Sequence, residues 1–224
     1  MKNLSMTKPP LALVILMGIF LFLVAGGPSV AQVDDFILIN EVLADPGSDW
    51  DGDGAVDFKD DEWVEILNNW TEPIDLSNYY LRDGLGDDPH LKLSGILDPG
   101  ETVVFFGSDA VAWQTEMGMT TSGLSLNNGG DIVQLLRSYE GPGGPQMELM
   151  FVVSYHDHEA EDDRSSGFNT ELSDWILFDS INPYGGELEP VGTGCLPSPG
   201  SVNLCQDQVA VEGRSFGEVK AIFR

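Results

Sequence analysis

Residues 37–67 read ILINEVLADPGSDWDGDGAVDFKDDEWVEIL and place an aspartate-rich loop between two apolar segments. In the first segment, residues 36–39 are all apolar and Val42 follows, a pattern typical of a strand buried on both faces. In the second, residues 63–67 alternate, with Val64 and Ile66 on one side and Glu65 on the other. The stretch therefore predicts two strands joined by an acidic loop.

The rest of the chain continues this pattern of short strands separated by turn residues. Five further segments, and a sixth with a weaker pattern, have strand character: 79–82, 91–93, 102–106, 132–137, 147–155 and 175–178. The run Gly-Pro-Gly-Gly-Pro at 141–145 predicts a hairpin with a long loop. No window of eleven or more residues after the N-terminal segment keeps a helical period. We expect an all-β protein, an immunoglobulin-like β-sandwich with long loops, formed by one domain over residues 35–204.

The acidic loop matches the spacing of a twelve-residue calcium loop. Gly54 stands at position 6, where the chain turns sharply, and Val56 at the apolar position 8. The predicted ligands at positions 1, 3, 5, 7, 9 and 12 are Asp49, Asp51, Asp53, Ala55 through its backbone carbonyl, Asp57 and Asp60. Carboxylates at this spacing converge on one centre and supply the hard oxygens that Ca²⁺ prefers. The sequence therefore predicts a Ca²⁺ site, with a solvated Asp/Gly turn as the alternative.

Position 12 departs from the usual pattern. It is commonly a bidentate Glu, whereas here it is Asp60, so Asp61 or Glu62 is an alternative ligand. Sensor proteins place a helix on each side of such a loop and open on binding. Because a strand follows this loop, we expect calcium to brace the fold rather than to switch it.

The N-terminus has the features of an export signal. Lys2 and Lys8 precede an apolar run over 11–25, and Ser29-Val30-Ala31 provides small residues before a cleavage point after Ala31. A membrane-spanning helix needs about 20 apolar residues, so this run favours a cleaved signal peptide over residues 1–31, with a retained anchor as the alternative. Export predicts a secreted or cell-surface protein, with no membrane contact after cleavage.

Charge and cysteine content fit this location. Ten Lys and Arg stand against 37 Asp and Glu, a net charge of -27, which disfavours nucleic acid as a partner. Cys195 and Cys205 are the two cysteines of the chain, and in an oxidising compartment they predict one disulfide that closes a loop.

No pattern of catalytic residues stands out. The chain lacks G-x-S-x-G, H-E-x-x-H, a phosphate loop and a cysteine supported by histidine, so we expect no enzyme. His156 and His158 would need a third ligand to bind zinc, and a solvated loop is the simpler interpretation. We interpret His90 as an isolated residue in a loop. An alternative function, an accessory domain or a small metal-dependent hydrolase using His156 and His158, stays open.

The C-terminal segment over residues 205–224 differs from the domain before it. Basic residues alternate with apolar ones near its end, as in Lys220-Ala221-Ile222-Phe223-Arg224. One interpretation is a last strand or short helix that docks on the acidic domain, because opposite charges attract. The other is a terminal address read by a sorting or surface-attachment machinery.

Several short motifs occur in combination over roughly residues 35–204: Asn40-Glu41-Val42-Leu43-Ala44-Asp45-Pro46, Asp61-Glu62-Trp63-Val64-Glu65-Ile66 with Asn68, Asp75-Leu76-Ser77, Leu97-Asp98-Pro99-Gly100-Glu101, Leu126-Asn127-Asn128-Gly129-Gly130-Asp131 and Ser198-Pro199-Gly200-Ser201-Val202-Asn203. In this combination the chain resembles the lamin-tail domain family in its bacterial secreted form. A tyrosine, Tyr79 or Tyr80, replaces the usual Trp after Asp75-Leu76-Ser77.

The resemblance implies an immunoglobulin-like sandwich and a non-catalytic binding or adhesion role. Bacterial members are similar in carrying an Asp-rich loop at this place. The nuclear filament role of animal relatives is not implied, because this chain has a predicted signal peptide and no coiled-coil heptads. We expect an extracellular protein or glycan as the partner, while a subunit of an extracellular assembly is a further alternative.

Overall fold

The fold is that of a computed structural model, which describes residues 31–32, 36–84, 86, 88–156, 163–169, 174–178, 195–201 and 203. The described strands form two antiparallel five-stranded sheets, which confirms the predicted all-β sandwich. Sheet A has the order β1 (Ala31–Gln32), β10 (Gly144–His156), β9 (Gly130–Gly141), β5 (Tyr79–Arg82) and β6 (Leu91–Lys92). Sheet B has the order β12 (Asp174–Phe178), β11 (Ser165–Asn169), β2 (Ile37–Leu43), β3 (Trp63–Asn68) and β8 (Thr102–Phe106).

The two sheets enclose one hydrophobic core. Ile39 and Val42 of β2 and Val64 and Ile66 of β3 are fully or almost fully buried, and they share this core with residues of sheet A such as Leu135. A β-bulge between Ile39 and Glu41 inserts Asn40 into β2, so Val42 returns to the core side. A small third sheet pairs β4 (Ile74–Asp75) with β7 (Ile96–Leu97), and a 3₁₀ turn over Leu76–Asn78 precedes β5.

Most strand predictions agree with the structure, and the prediction of a long hairpin loop is wrong. Strands β5 and β8 have the predicted bounds, whereas β9 and β10 extend well beyond 132–137 and 147–155. They are joined through Pro142 and Gly143 alone. Gly143 and Gly144 adopt φ of 115° and 116°, which glycine allows without strain and which closes the turn in two residues.

The prediction that the chain has no helix is also wrong. Helix α1 spans Gly107–Glu116, directly after β8. Its buried residues are Gly107, Ala110 and Gln114, two small side chains and one polar one. A buried face of this composition leaves no apolar period in the sequence, so the usual signal for an amphipathic helix is missing.

Some predictions concern residues outside the described set. They are residues 1–30 of the signal peptide predicted over 1–31, the loop with His158, the second cysteine Cys205 and the C-terminal segment over 205–224. Ala31, the residue before the predicted cleavage point, lies in β1 and pairs with Val152 of β10. Among the described residues, no helix has the length and apolar character needed to cross a membrane.

Helix α1 is tightly packed against the end of the acidic loop. The backbone N–H groups of Gly107 and Ser108 donate to the carbonyls of Glu62 and Asp60, at 2.7 and 3.0 Å. A Cβ atom at Gly107 would lie 1.8 Å from the carbonyl oxygen of Lys59. The lysine itself donates from Nζ to the Thr121 carbonyl at 2.8 Å. The loop end is therefore fixed between the helix N-terminus and the segment that follows the helix.

Replacing Gly107 by alanine tests this packing. Because the new methyl group meets a backbone carbonyl, which cannot move independently, we expect Gly107→Ala to lower the free energy of unfolding by about 3 kcal/mol. Urea denaturation measures this change. Gly129→Ala is the matched control, because a Cβ at Gly129 has no atom within 4 Å. A Gly107→Ala protein as stable as the wild type would contradict the described packing.

Candidate functional site

The acidic loop is folded by hydrogen bonds from its own backbone to its aspartates. Asp49 accepts from the N–H groups of Gly52 and Gly54, at 2.9 and 3.0 Å. Asp51 accepts from Asp53 N–H at 3.0 Å. Both glycines have positive φ, 78° and 95°, so the chain reverses tightly at these points. The predicted sharp turn at Gly54 is therefore present, and the carboxylate of Asp49 is hydrogen-bonded to the backbone of this turn.

Asp61 is the residue that closes the loop. The residue is 1% exposed, and its carboxylate accepts three backbone N–H groups. Oδ1 accepts from Trp50 at 2.6 Å and from Asp51 at 3.1 Å, and Oδ2 accepts from Asp57 at 2.7 Å. Hydrogen bonds to a carboxylate offset the cost of burying its charge. The twelve-residue spacing of a calcium loop predicts Asp60 as the last ligand, with Asp61 as an alternative. The structure directs Asp61 into the loop.

Three carboxylates come together in the described loop. Asp49, Asp51 and Asp61 each offer an oxygen, and these oxygens all lie within 4.8 Å of one another. A carboxylate has about four acceptor positions. Asp49 uses two of them, Asp51 one and Asp61 three in the backbone bonds described above. Each therefore keeps acceptor capacity, and this set of hard oxygens fits a divalent cation that prefers oxygen ligands.

The other predicted ligands lie outside this cluster. The Oδ1 atoms of Asp53 and Asp57 accept the N–H groups of Ala55 and Lys59, at 2.7 and 2.9 Å. All of these residues except Lys59 are exposed. Asp60 is half-buried, and burial raises its pKa, with Asp57 as the next cause and Lys59 opposing it. The complete set of six ligands stays a prediction.

The start of the loop is held against the sheet by aromatic packing and by an aspartate that is distant in the sequence. The Trp50 ring lies edge-on to Trp63 of β3, with the centroids 5.9 Å apart. Its Nε1 donates to Asp163 Oδ1 at 2.7 Å, and the same oxygen accepts from Gly47 N–H at 2.7 Å. Sequence reasoning missed Asp163, since it is separated from the loop by more than a hundred residues and belongs to no local motif.

A second group of acids is buried on strands β2 and β3. Glu41 accepts from the hydroxyls of Ser165 and Ser198 and from Ser198 N–H. Glu65 accepts from Asn40 Nδ2 and from Gly200 N–H. Burial raises the pKa of Glu41 to about 7 and also raises that of Glu65, while these hydrogen bonds oppose the change. The two side chains join residues 198 and 200 to the sheet.

Glu62, next to Asp61, lines an open cavity of about 480 Å³ together with Phe58, Ser122 and Leu126. Burial raises the pKa of Glu62 to about 9, and the nearby carboxylate of Asp131 adds to the effect. The N–H of Leu126 donates to Glu62 Oε2 at 3.3 Å. Sequence reasoning treated Glu62 only as an alternative ligand, and its burial could not be read from a run of three acids.

The remaining predicted residues have different outcomes. His156 is exposed at the end of β10, but His158 lies outside the described residues, so the zinc alternative stays a prediction. Cys195 is described and Cys205 is not, which leaves the disulfide a prediction as well. His90 does lie in a loop, but it is not isolated: its ring contacts Asp83 and Ser122, at 3.4 and 3.1 Å.

Comparison with known families gives one result. A family model described as Lamin Tail Domain matches residues 31–156, more than half of the chain. The match begins at β1 and ends with β10, and it includes the acidic loop. No curated protein matches the chain.

The buried glutamates predict a pH dependence of stability. The pKa of Glu41 is raised from 4.5 to about 7 on folding, so the folded protein holds a proton that the unfolded chain has released. Stability therefore falls as the pH rises through this window, by on the order of 3 kcal/mol for a shift of this size. We expect the wild type to be more stable at about pH 5 than at about pH 8 and Glu41→Gln to reduce that difference. Urea denaturation at both pH values is the measurement, and an equal pH response in the two proteins would contradict the assignment.

Proposed function

The chain belongs to the lamin tail domain family, and we propose that it is an exported binding or adhesion domain whose aspartate loop holds Ca²⁺. The family suggests a non-catalytic immunoglobulin-like domain. One observation carries the metal proposal: the oxygens of Asp49, Asp51 and Asp61 lie within 4.8 Å of one another.

Electrostatics favours a cation at this position. Two carboxylates about 4 Å apart repel by about 1 kcal/mol in water and about 4 kcal/mol at the effective dielectric of a protein surface. The loop brings three of them together, and Asp53, Asp57 and Asp60 are close in sequence. A divalent cation replaces these repulsions by attraction. Calcium is the proposed ion because the ligands are carboxylates and the loop follows the spacing of a calcium loop.

The surroundings of the loop support a bracing role for the ion. The loop connects β2 to β3, and its last residues are hydrogen-bonded to the N-terminus of helix α1. A sensor needs a pair of helices that changes its angle on binding. Here the loop has strands and one tightly packed helix as neighbours, so binding stabilises the existing arrangement. If extracellular Ca²⁺ exceeds the dissociation constant ten- to a hundredfold, the stabilisation is about 1.4 to 2.7 kcal/mol.

The location and partner are proposed from the sequence. The charged start, apolar run and small residues before position 32 support export, and the predicted Cys195–Cys205 disulfide fits an oxidising compartment. A net charge of -27 supports an extracellular protein or glycan rather than nucleic acid as the partner. We propose the bacterial secreted type of the family on the same sequence features.

Removal of calcium tests the metal site. We expect a chelator to lower the melting temperature of the wild-type protein and added Ca²⁺ to restore it, because the ion binds the folded state alone. Asp51→Ala removes one of the three clustered carboxylates and abolishes this response. Asp98→Ala is the matched control, because Asp98 is an exposed aspartate in a turn outside the loop. Equal melting curves for the wild type with and without Ca²⁺ would refute the proposal.

An array of glycans and matrix proteins tests the binding role. We expect a ligand that is retained in Ca²⁺ and weakened in chelator, because the ion holds the loop in the conformation presented to the partner. The Asp51→Ala protein serves as the calcium-free comparison and Asp98→Ala as its control. A protein that responds to Ca²⁺ in melting but retains no ligand would keep the metal site and reject the binding role.

A further inference from the structure

Four polar side chains from separate parts of the chain meet beside helix α1. They are Asp83 after β5, His90 before β6, Gln114 in α1 and Ser122 in the segment that follows the helix. Asp83 and Gln114 are buried, at 4% and 1% exposure, while His90 and Ser122 are half-buried. Neither the proposed calcium site nor the family resemblance uses these residues.

Ser122, His90 and Asp83 have the relationship of a nucleophile, its base and a group that orients the base. The hydroxyl Oγ of Ser122 lies 3.1 Å from His90 Nδ1. The other ring nitrogen, Nε2, lies 3.4 Å from Asp83 Oδ1. In the tautomer with its hydrogen on Nε2, His90 donates toward the aspartate and accepts the serine proton on Nδ1. A base in this position is what makes a serine hydroxyl reactive.

The carboxamide of Gln114 is held next to that hydroxyl. Its Oε1 accepts from the Ser122 N–H at 2.6 Å, and its Nε2 lies 3.4 Å from Ser122 Oγ. The Nε2 group also donates to the carbonyls of His90 and Gly123, at 2.9 and 2.8 Å. Every polar atom of the amide is therefore fixed. The N–H on Oε1 is placed to stabilise negative charge that develops on this oxygen.

We propose that Ser122 and Gln114 become joined by an intramolecular ester bond. His90 Nδ1 takes the proton from Ser122 Oγ, and Oγ forms a bond to Cδ of Gln114. The Cδ–Nε2 bond then breaks, and the nitrogen leaves as ammonia with the proton that His90 returns. A hydroxyl and a carboxamide become an ester and ammonia, so the step needs no oxidant, reductant or other reactant.

One physical feature favours the rate of this reaction, and another favours its direction. Holding the hydroxyl and the amide in contact replaces an encounter by an effectively unimolecular step. The released ammonia escapes to solvent, while the new ester lies at the position of Gln114, where water has little access. The bond would tie the C-terminal end of α1 to the segment 121–123, which also receives Lys59 of the acidic loop.

Peptide mapping of the purified protein tests the ester. Cleavage after glutamate separates residues 102–116 from residues 117–140, because Glu116 lies between Gln114 and Ser122. We expect the two peptides to stay joined. The mass of the joined pair should be lower by one ammonia than the summed masses of the two separate peptides, which carry the intact Gln114 carboxamide and Ser122 hydroxyl. Hydroxylamine, which cleaves esters, should separate them. The joined peptides carry the assignment, since other Asn and Gln residues can also lose ammonia.

Variants separate the roles of the four residues. Ser122→Ala should give two separate peptides. Ser125→Ala should still give the joined pair, because Ser125 lines the same cavity as Ser122 but is not one of the four clustered residues. Asp83 is a positioning residue, so Asp83→Ala should lower the joined fraction and Asp83→Glu should restore it. Recovery of wild-type residues 102–116 and 117–140 as separate peptides of full mass would overturn the proposal, whether or not the variants fold. Labelling of Ser122 by a fluorophosphonate in most molecules would also overturn it, because the hydroxyl would be free.

Discussion

The buried carboxylate of Asp61 is the interaction on which the acidic loop depends. It accepts hydrogen bonds from the N–H groups of Trp50, Asp51 and Asp57, so it joins the start of the loop to its end. Its own position is set by the sheet, because β3 begins two residues later at Trp63 and is paired on both sides, with β2 and with β8. The sheet places Asp61, Asp61 shapes the loop, and the loop brings Asp49 and Asp51 to the same point. The loop backbone around these three carboxylates is therefore already held by the protein's own hydrogen bonds.

The same loop end connects the aspartate cluster to the region around helix α1. Lys59 donates to the carbonyl of Thr121, in the segment that follows the helix. At the helix N-terminus, the N–H groups of Ser108 and Gly107 donate to the carbonyls of Asp60 and Glu62 respectively. Thr121 is the neighbour of Ser122, whose N–H and hydroxyl contact Gln114 and His90. Fixing the loop therefore fixes one wall of the Ser122 site as well. An ester between Ser122 and Gln114 would in turn hold the surface against which the loop end packs, so the two proposed features stabilise neighbouring parts of one structure.

Local patterns predicted what local forces determine. Strand β3 follows from the alternation of Val64 and Ile66 with Glu65, and the turn at Gly54 from the need for positive φ, and both could be read directly from the sequence. Helix α1 could not, because its buried face is made of Gly107, Ala110 and Gln114 rather than apolar side chains. The choice between Asp60 and Asp61 depends on which way the chain enters β3, a property of the sheet. The contacts of His90 with Asp83 and Ser122 join residues that no spacing rule connects.

Tertiary structure also explains why short motifs that are far apart in the sequence occur together. One hydrogen-bonded group on sheet B contains Asn40, Glu41, Glu65, Ser198, Gly200 and Asn203. In it, Asn203 Nδ2 donates to the Asn40 carbonyl at 2.8 Å. The family model ends at residue 156, before this last segment. Without Ser165, Ser198 and Gly200, Glu41 and Glu65 would lose hydrogen-bond donors, and burying these acids would cost more free energy. Strands β11 and β12 belong to the same sheet as β2 and β3, and the described residues 198, 200 and 203 bond to that sheet, so the sheet and its contacts extend past the family match.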